Sequence, residues 1–175
     1  MAENAAPVVV ALGSNLGDRA AHLRYAIFRL SELLASLRVS RIIETRPVGV
    51  PVAQGYFLNA VAVGVSTRSP SAILHSLLAI EHDRGRTRPS RWAPRTLDLD
   101  LVLVGGQVVE TDALTLPHPR FRDRLFVLGP LCEIAPDLRD PVTGLTARQL
   151  LVRAMLLTAE PTATVAPGTS PEAAR

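Results

Sequence analysis

The chain contains no lysine; all 19 of its basic side chains are arginine. That absence removes two kinds of chemistry, because a Walker-type phosphate loop needs its lysine and a Schiff base needs a lysine amine. A single cysteine, Cys132, can form no internal disulfide and anchor no cysteine-rich zinc site, which agrees with a reducing compartment. No apolar run approaches the roughly 18 to 20 residues of a membrane span. Met1 to Pro7 also lacks the basic start and apolar stretch of a signal peptide. The expected location is therefore the cytoplasm. Aromatics are few, with one Trp, two Tyr and four Phe in 175 residues.

What is present is enough apolar side chain, 47% of the sequence, for one well-cored domain and too short a chain for two ordinary ones. Without lysine, arginine is also the default surface cation, so only its clustering is informative. Five of the 19 lie between Arg84 and Arg95, and three more between Arg120 and Arg124. With a net charge of only +3, these clusters are local patches on a nearly balanced surface.

Pro7 to Leu12 reads as a buried strand ending at Gly13-Ser14-Asn15. Asp18 can cap a following helix whose apolar stripe is Leu23, Ile27, Leu30, Leu34 and Leu37, roughly five turns. Arg38 to Thr45 and Asn59 to Ser66 are further strands, separated by a loop with two prolines and two glycines. Ser69-Pro70 opens a second helix carrying Ile73, Leu74, Leu77 and Ile80 and ending near Glu81. Thr96 to Val104 is the fourth strand, and Gly105-Gly106 turns it toward a short hairpin partner at Gln107 to Glu110. The order predicts an α+β fold with a ferredoxin-like βαββαβ core, an antiparallel sheet with two helices packed on one face. Additional C-terminal helices are expected at Phe121 to Ala135, broken by Pro130, and at Thr146 to Leu157. Residues 1–158 form the expected single domain, and 159–175, rich in Ala, Pro and Thr, a disordered tail.

The most informative stretch is residues 91 to 104, RWAPRTLDLDLVLV. In a strand, Asp98 and Asp100 project to one side while Leu97, Leu99, Leu101 and Leu103 project to the other. Two residues of rise place the acids roughly 6.6 Å apart, a repulsion on the order of 2.5 kcal/mol at an effective dielectric near 20. A divalent cation removes that cost, and Mg²⁺ suits one or two carboxylates with water and phosphate oxygens in its other positions. The plain competitor is a strand with a solvated outer face. Val102 and Val104 continue the acid face, however, so it turns apolar two residues later.

Glu81 to Arg95 joins the second helix to this strand and concentrates arginine, proline and the sole tryptophan, Trp92. Such a loop can close over a triphosphate, or it can be a solvated cationic loop; an indole in it favours a covering role. His118, between Pro117 and Pro119, can bond a phosphate oxygen or simply be structural. Asn59 beside Phe57 can read the edge of a heterocycle or only bond the preceding turn. Gly13 to Asp18 looks like a phosphate cradle, but Asp18 would repel a phosphate there, so a tight turn and cap is the expectation.

Taken together, GSNLGD at the start, FLNAV at 57–61, GRTRPSRWAPRTLDLDLVL at 85–103, LTLPHPR at 114–120 and FVLGPLCEIAPDL at 126–138 resemble one family. It is the 6-hydroxymethyl-7,8-dihydropterin pyrophosphokinase family of folate biosynthesis, matched in order from about Val8 to Leu150. The resemblance implies a ferredoxin-like fold and transfer of pyrophosphate from ATP to a pterin hydroxymethyl group, releasing AMP. It implies that Asp98 and Asp100 hold two Mg²⁺ ions and that Arg86, Arg95 and His118 assist the transfer. It further implies an ATP site of Glu81, Arg88, Trp92, Arg95, Leu101, Thr115, His118 and Arg124, and a pterin site of Thr45, Val48, Phe57, Asn59 and Phe126. Departures from the pattern are Ala93 where glycine is usual, a slightly short arginine loop, and Arg46 where proline is common. A stand-alone monomer is expected, without the fused dihydropteroate synthase or aldolase domains of some relatives.

Two rivals stand beside this reading. Ferredoxin-like sheets can bind single-stranded RNA with aromatics and arginines, but the chain has few aromatics and its acid pair would repel a phosphodiester. A nucleotidyl or single-phosphoryl transferase would keep the same metal and arginine positions, because those do not reveal which phosphorus is attacked.

Overall fold

Val8, Val9 and Val10 are fully buried on the central strand of a sheet that has helices on both faces. The computed structural model describes residues 5–47, 54–86 and 93–159. Strand β1 (Ala6–Ser14) lies between β4 (Phe57–Ser66) and β5 (Asp98–Val104), antiparallel to both. Strands β2 (Ala35–Val39) and β3 (Ile43–Thr45) both pair with the other edge of β4, giving the order β2-β4-β1-β5. This is the expected ferredoxin-like sheet with one change: its second strand, predicted over Arg38 to Thr45, is interrupted. At the break the Ser40 hydroxyl accepts from the Val61 N–H at 3.0 Å, and the side chain takes over a ladder bond.

Helix α1 (Arg19–Leu33) and helix α2 (Pro70–Asp83) cover one face, with Leu23, Leu30, Ile73 and Leu77 against Val8, Val10 and Leu12. Both caps are as predicted: Asp18 Oδ1 accepts from Ala21 N–H at 2.9 Å, and Ser69 Oγ from Ala72 N–H at 3.3 Å. Helix α1 stops a turn earlier than the leucine stripe suggests, because Leu34 is already extended and Leu37 belongs to β2. The chain crosses β4 there so closely that a Cβ on Gly64 would lie 2.7 Å from Leu34 Cβ. Inside β2, where its pairing with β4 shifts register between Ala35 and Arg38, Ser36 takes φ 51, a left-handed value uncommon for a non-glycine residue.

The second face, which the sequence left without a specified cover, is closed by α3 (Leu125–Ile134) and α4 (Ala147–Ala159). Leu128, Leu131, Leu150 and Phe121 pack there on Val9, Val61, Val63 and Val102. The predicted helix from Phe121 breaks at Arg124 and not at Pro130. Phe121–Asp123 form a 3₁₀ turn, and Pro130 lies buried inside α3. A capping box starts α4, with Gln149 N–H on Thr146 Oγ1 (3.2 Å) and Thr146 N–H on Gln149 Oε1 (2.9 Å). The strand predicted at Gln107 to Glu110 does exist as β6 (Val109–Glu110), but it pairs with β7 (Thr115–Leu116) and not with β5.

Strand β5 alternates as predicted only as far as Leu101. Leu101 stands opposite Val10 and Leu103 opposite Val9, so Val102 is a bulge residue. Leu97, Leu99 and Leu101 face α1 and α2, whereas Leu103 joins Val102 in the second layer and Val104 returns to the first. The expected faces of Leu103 and Val104 are thus exchanged. Ala159, predicted as the first residue of the tail, is the last of α4, and the rest of the predicted tail, 160–175, lies outside the described residues. Among those described, no helix is long and apolar enough to cross a membrane.

Candidate active site

On the second face of the sheet, Ala11, Val61 and Val102 lie in the layer covered by α3 and α4. One step further along each strand, the same face carries Gly13, Asn59 and Phe57, and Asp100 and Asp98. The registers Gly13↔Asn59 and Gly13↔Asp98 bring them side by side. A row that is apolar beneath the helices therefore becomes polar where they stop.

Asp98 sits at the mouth of β5 with its side chain 18% exposed, held by two guanidiniums. Arg86 Nη2 reaches Asp98 Oδ1 at 2.7 Å and Arg95 Nη1 reaches Oδ2 at 2.5 Å. Arg86 also pairs through Nη1 with Glu81, whose Oε1 accepts the Leu99 N–H at 2.7 Å. Glu81 is 2% exposed. Its carboxylate thus caps the free edge of β5 and anchors Arg86 beside Asp98, which makes it a support for the arginine. Leu101, two residues on from Leu99, buries its side chain in the first core layer, so only its backbone faces the site edge. Thr115 is exposed on β7, which packs beside β5.

Asp100 is met from the opposite side. Arg124 Nη1 lies 3.0 Å from its Oδ2, and His118 Nε2 lies 3.8 Å from the same oxygen. His118 is fixed by its backbone, its N–H donating to Val102 O at 2.9 Å, and its Nδ1 accepts the Arg120 N–H at 3.2 Å. With Nδ1 accepting, the ring proton is on Nε2, aimed at Asp100. Burial pushes the imidazole pKa below its usual value; Asp100 pulls it up, and Arg124 and Arg120 push it down. Burial is the largest of these effects, and the Nε2 proton faces Asp100 at 3.8 Å without a hydrogen bond to it. The Arg124 guanidinium lies 5.5 Å from the centre of the Phe126 ring.

On the β3–β4 side, Asn59 Nδ2 donates to Thr45 Oγ1 at 2.7 Å, with Thr45 directly opposite Phe57 in the ladder. A Cβ on Gly13 would lie 3.3 Å from Asn59 Oδ1, 3.8 Å from the Phe57 ring and 3.9 Å from Asp98 Cβ. The glycine is thus an open floor between the amide and the acid. Val48, Arg88 and Trp92 lie outside the described residues. Thr45, Phe57, Asn59, Asp98 and Asp100 converge on one sheet end, with Arg86, Arg95, His118 and Arg124 around the acids.

Sequence reasoning missed Asn15, which was read only as part of a turn. It is buried and bonds both loop exits of the site: Arg95 N–H donates to its Oδ1 at 2.7 Å, and its Nδ2 donates to Gln54 Oε1 at 2.9 Å. An asparagine directly after a buried strand was the available signal. A cavity of about 750 Å³ lies at the opposite end of the sheet, among Val63, Leu103 and Ile134 and away from every one of these side chains.

Fold and site together define a class: a ferredoxin-like αβ protein whose sheet end joins paired carboxylates, arginines and an aromatic–amide corner. Residues 9–136 match the model of the 7,8-dihydro-6-hydroxymethylpterin-pyrophosphokinase family, and the chain belongs to that family. It is 42% identical over 146 residues to the 2-amino-4-hydroxy-6-hydroxymethyldihydropteridine pyrophosphokinase of Bacillus subtilis, covering 82% of this chain and 87% of the relative. The protein of the same name from Synechocystis is 44% identical over 146 residues, covering 82% and 73%. Among solved structures, a protein described as HPPK-DHPS in complex with substrates superposes with a TM-score of 0.67 at 13% identity, over 85% of this chain and 43% of that one. The Plasmodium falciparum HPPK-DHPS triple mutant with pteroate gives 0.68 at 14%, over 89% and 44%. These likenesses carry the fold, and the chain spans less than half the length of those two proteins.

Proposed function

We propose that this chain transfers pyrophosphate from ATP to the hydroxymethyl group of 6-hydroxymethyl-7,8-dihydropterin, acting as a monomer with Mg²⁺, in the cytoplasm and in folate biosynthesis. The observation that carries the proposal is the placement of the acid pair and the Phe57–Asn59 corner on one face, across the open floor at Gly13. A flat heterocycle between Phe57 and Phe126 would point a substituent toward Asp98 and Asp100. Asn59 keeps Oδ1 and one amide proton available after bonding Thr45, a donor–acceptor pair suited to the amide edge of a pterin.

The described charges support a metal. Three carboxylates, Glu81, Asp98 and Asp100, stand against three guanidiniums, Arg86, Arg95 and Arg124, so the cluster is close to neutral before a triphosphate arrives. Among the described residues, no group of three or more His, Cys, Asp or Glu forms a metal cage. Two hard carboxylates at a cleft mouth fit an ion that completes its shell with water and phosphate oxygens. Asp98 and Asp100 would hold two Mg²⁺ ions, which when bound supply charge neutralisation on the triphosphate.

The residues then divide the work. Arg86 and Arg95 place guanidinium charge beside Asp98 for the transferring group, and Glu81 keeps Arg86 in place. His118 donates from Nε2, Arg124 adds charge beside it, and Arg88, Trp92, Leu101 and Thr115 complete the ATP site, with Val48 beside the pterin. The hydroxyl oxygen bonds to the β-phosphorus, the bond from that phosphorus to the bridging oxygen breaks, AMP leaves with the oxygen, and the hydroxyl proton is released. Positioning and electrostatics account for the catalysis without a covalent enzyme intermediate. The test is incubation with Mg-ATP and 6-hydroxymethyl-7,8-dihydropterin. AMP forming in step with the pterin diphosphate, and only when the pterin is present, supports the proposal; ADP or free pyrophosphate sinks it.

A further inference from the structure

Asn15 lies between the two segments that lead into the two halves of the site. Gln54 and Gly55 precede Phe57 and Asn59; Arg95 precedes Asp98. Asn15 holds Arg95 by a reciprocal pair, its own N–H on Arg95 O at 3.0 Å and the Arg95 N–H on its Oδ1 at 2.7 Å. The other end of the same amide, Nδ2, donates to Gln54 Oε1 at 2.9 Å, and its backbone carbonyl lies 3.4 Å from where a Cβ of Gly55 would sit. Next to it, Ser14 Oγ donates to Thr96 O at 2.6 Å, which fixes the base of the pair. The residue is 7% exposed and sits at the end of the central strand, where β1 cannot shift without moving both neighbours.

We infer that Asn15 is a positioning residue that couples binding on the pterin side of the site to binding on the nucleotide side. One planar amide is shared, so a displacement of Gln54 on one side changes where Arg95 is held on the other. Arg95 in turn bonds Asp98, which completes a path from Gln54, three residues before Phe57, to the first acid of the pair through bonds of 2.5–2.9 Å. Coupling of this kind is reciprocal: each ligand must tighten the other by the same factor. The inference rests on the transferase reading above.

The experiment measures dissociation constants of the full chain by calorimetry in Mg²⁺. The probes are 6-hydroxymethyl-7,8-dihydropterin and α,β-methylene-ATP, whose α–β linkage cannot be cleaved, so no pyrophosphate is transferred. Each is titrated alone and in the presence of the other. The wild-type chain is expected to show coupling above about fivefold, within the ordinary range for linked sites. Asn15→Ala should bring that factor below about twofold while each ligand bound alone keeps its affinity within about threefold. Gln54→Ala, which leaves the Arg95 pair untouched, should do the same, and covers the case in which Asn15→Ala fails to fold. Gln54→Glu keeps an acceptor for Nδ2 and should retain the coupling; Asn15→Asp removes the donor and should lose it. Coupling that survives both Asn15→Asp and Gln54→Ala overturns the inference, as does a wild-type factor of one. A chain that binds neither probe overturns the transferase reading itself, a distinct outcome.

Discussion

Replacing Asp140 by Asn should cost stability that depends on pH in a defined window. The carboxylate is fully buried and receives a bidentate guanidinium, Arg122 Nε at 2.7 Å and Nη2 at 2.8 Å, together with Thr143 Oγ1 at 2.6 Å and the Val142 N–H at 3.2 Å. Burial alone would raise its pKa; the bonds from Arg122, Thr143 and Val142 outweigh it and bring the group from 3.8 down to about 2. A folded-state pKa below the unfolded one means the unfolded chain binds the proton first. The stabilisation is complete above about pH 5 and is lost as pH falls through 3.8 toward 2. At 1.36 kcal/mol per pKa unit, and with allowance for solvent around the partly exposed Arg122, it is on the order of 1–2 kcal/mol. For a domain of this size that is about 2–8 °C in melting temperature. Urea unfolding followed by far-UV circular dichroism, run on both proteins at pH 7, 5, 4 and 3, reads it directly. The gap should be nearly constant from pH 7 to 5 and fall to about half by pH 3, because the folded-state value of about 2 lies lower still. A gap of equal size at pH 3 and pH 7 would refute an origin in the carboxylate charge. The contact also bears on the site, because Arg122 lies in the short 3₁₀ turn between His118 and Arg124, and this clamp holds that turn.

Other outcomes follow from the same contacts. Asp98→Asn and Asp100→Asn should each lower kcat/KM by about a hundredfold or more with unchanged circular dichroism; full activity of either at limiting Mg²⁺ would rule out its metal role. Glu81→Gln keeps an acceptor for Leu99 N–H but leaves Arg86 without that charge, so the melting temperature should fall by about 5–10 °C, the cost of breaking a buried ion pair; a melt within a degree of wild type would contradict the anchoring role. Gly13→Val fills the floor beside Asn59 and Phe57 and should raise KM for the pterin about tenfold or more, with KM for ATP little changed; a larger effect on ATP would place the heterocycle elsewhere.

Much of the fold was legible in local chemistry. Asp18 and Ser69 cap the helices they precede in sequence, and the alternation from Leu97 to Leu101 does point leucines inward and acids outward. What escaped were features that depend on the partner strand. The bulge at Val102 arises from the register against β1, and it exchanged the faces of Leu103 and Val104. The leucine stripe through Leu37 overran helix α1 because the crossing at Gly64 is a tertiary contact. In the site, the convergence of Asp98 with Asn59 needed the registers at Gly13, and the link through Asn15 needed hydrogen bonds to residues 39 and 80 positions away. Glu81 showed the same dependence: the family resemblance implies a place for it in the nucleotide site, and the contacts of its carboxylate with Arg86 and the Leu99 N–H emerge only from the fold.

The central claim is that this sheet end directs an alcohol at the β-phosphorus of ATP. ATP carrying ¹⁸O in the bridge between the α- and β-phosphorus decides it. After turnover with 6-hydroxymethyl-7,8-dihydropterin and Mg²⁺, mass spectrometry should find the label in AMP and none in the pterin diphosphate. Label in free pyrophosphate would mean attack at the α-phosphorus, label in ADP attack at the γ-phosphorus, and either would contradict the account.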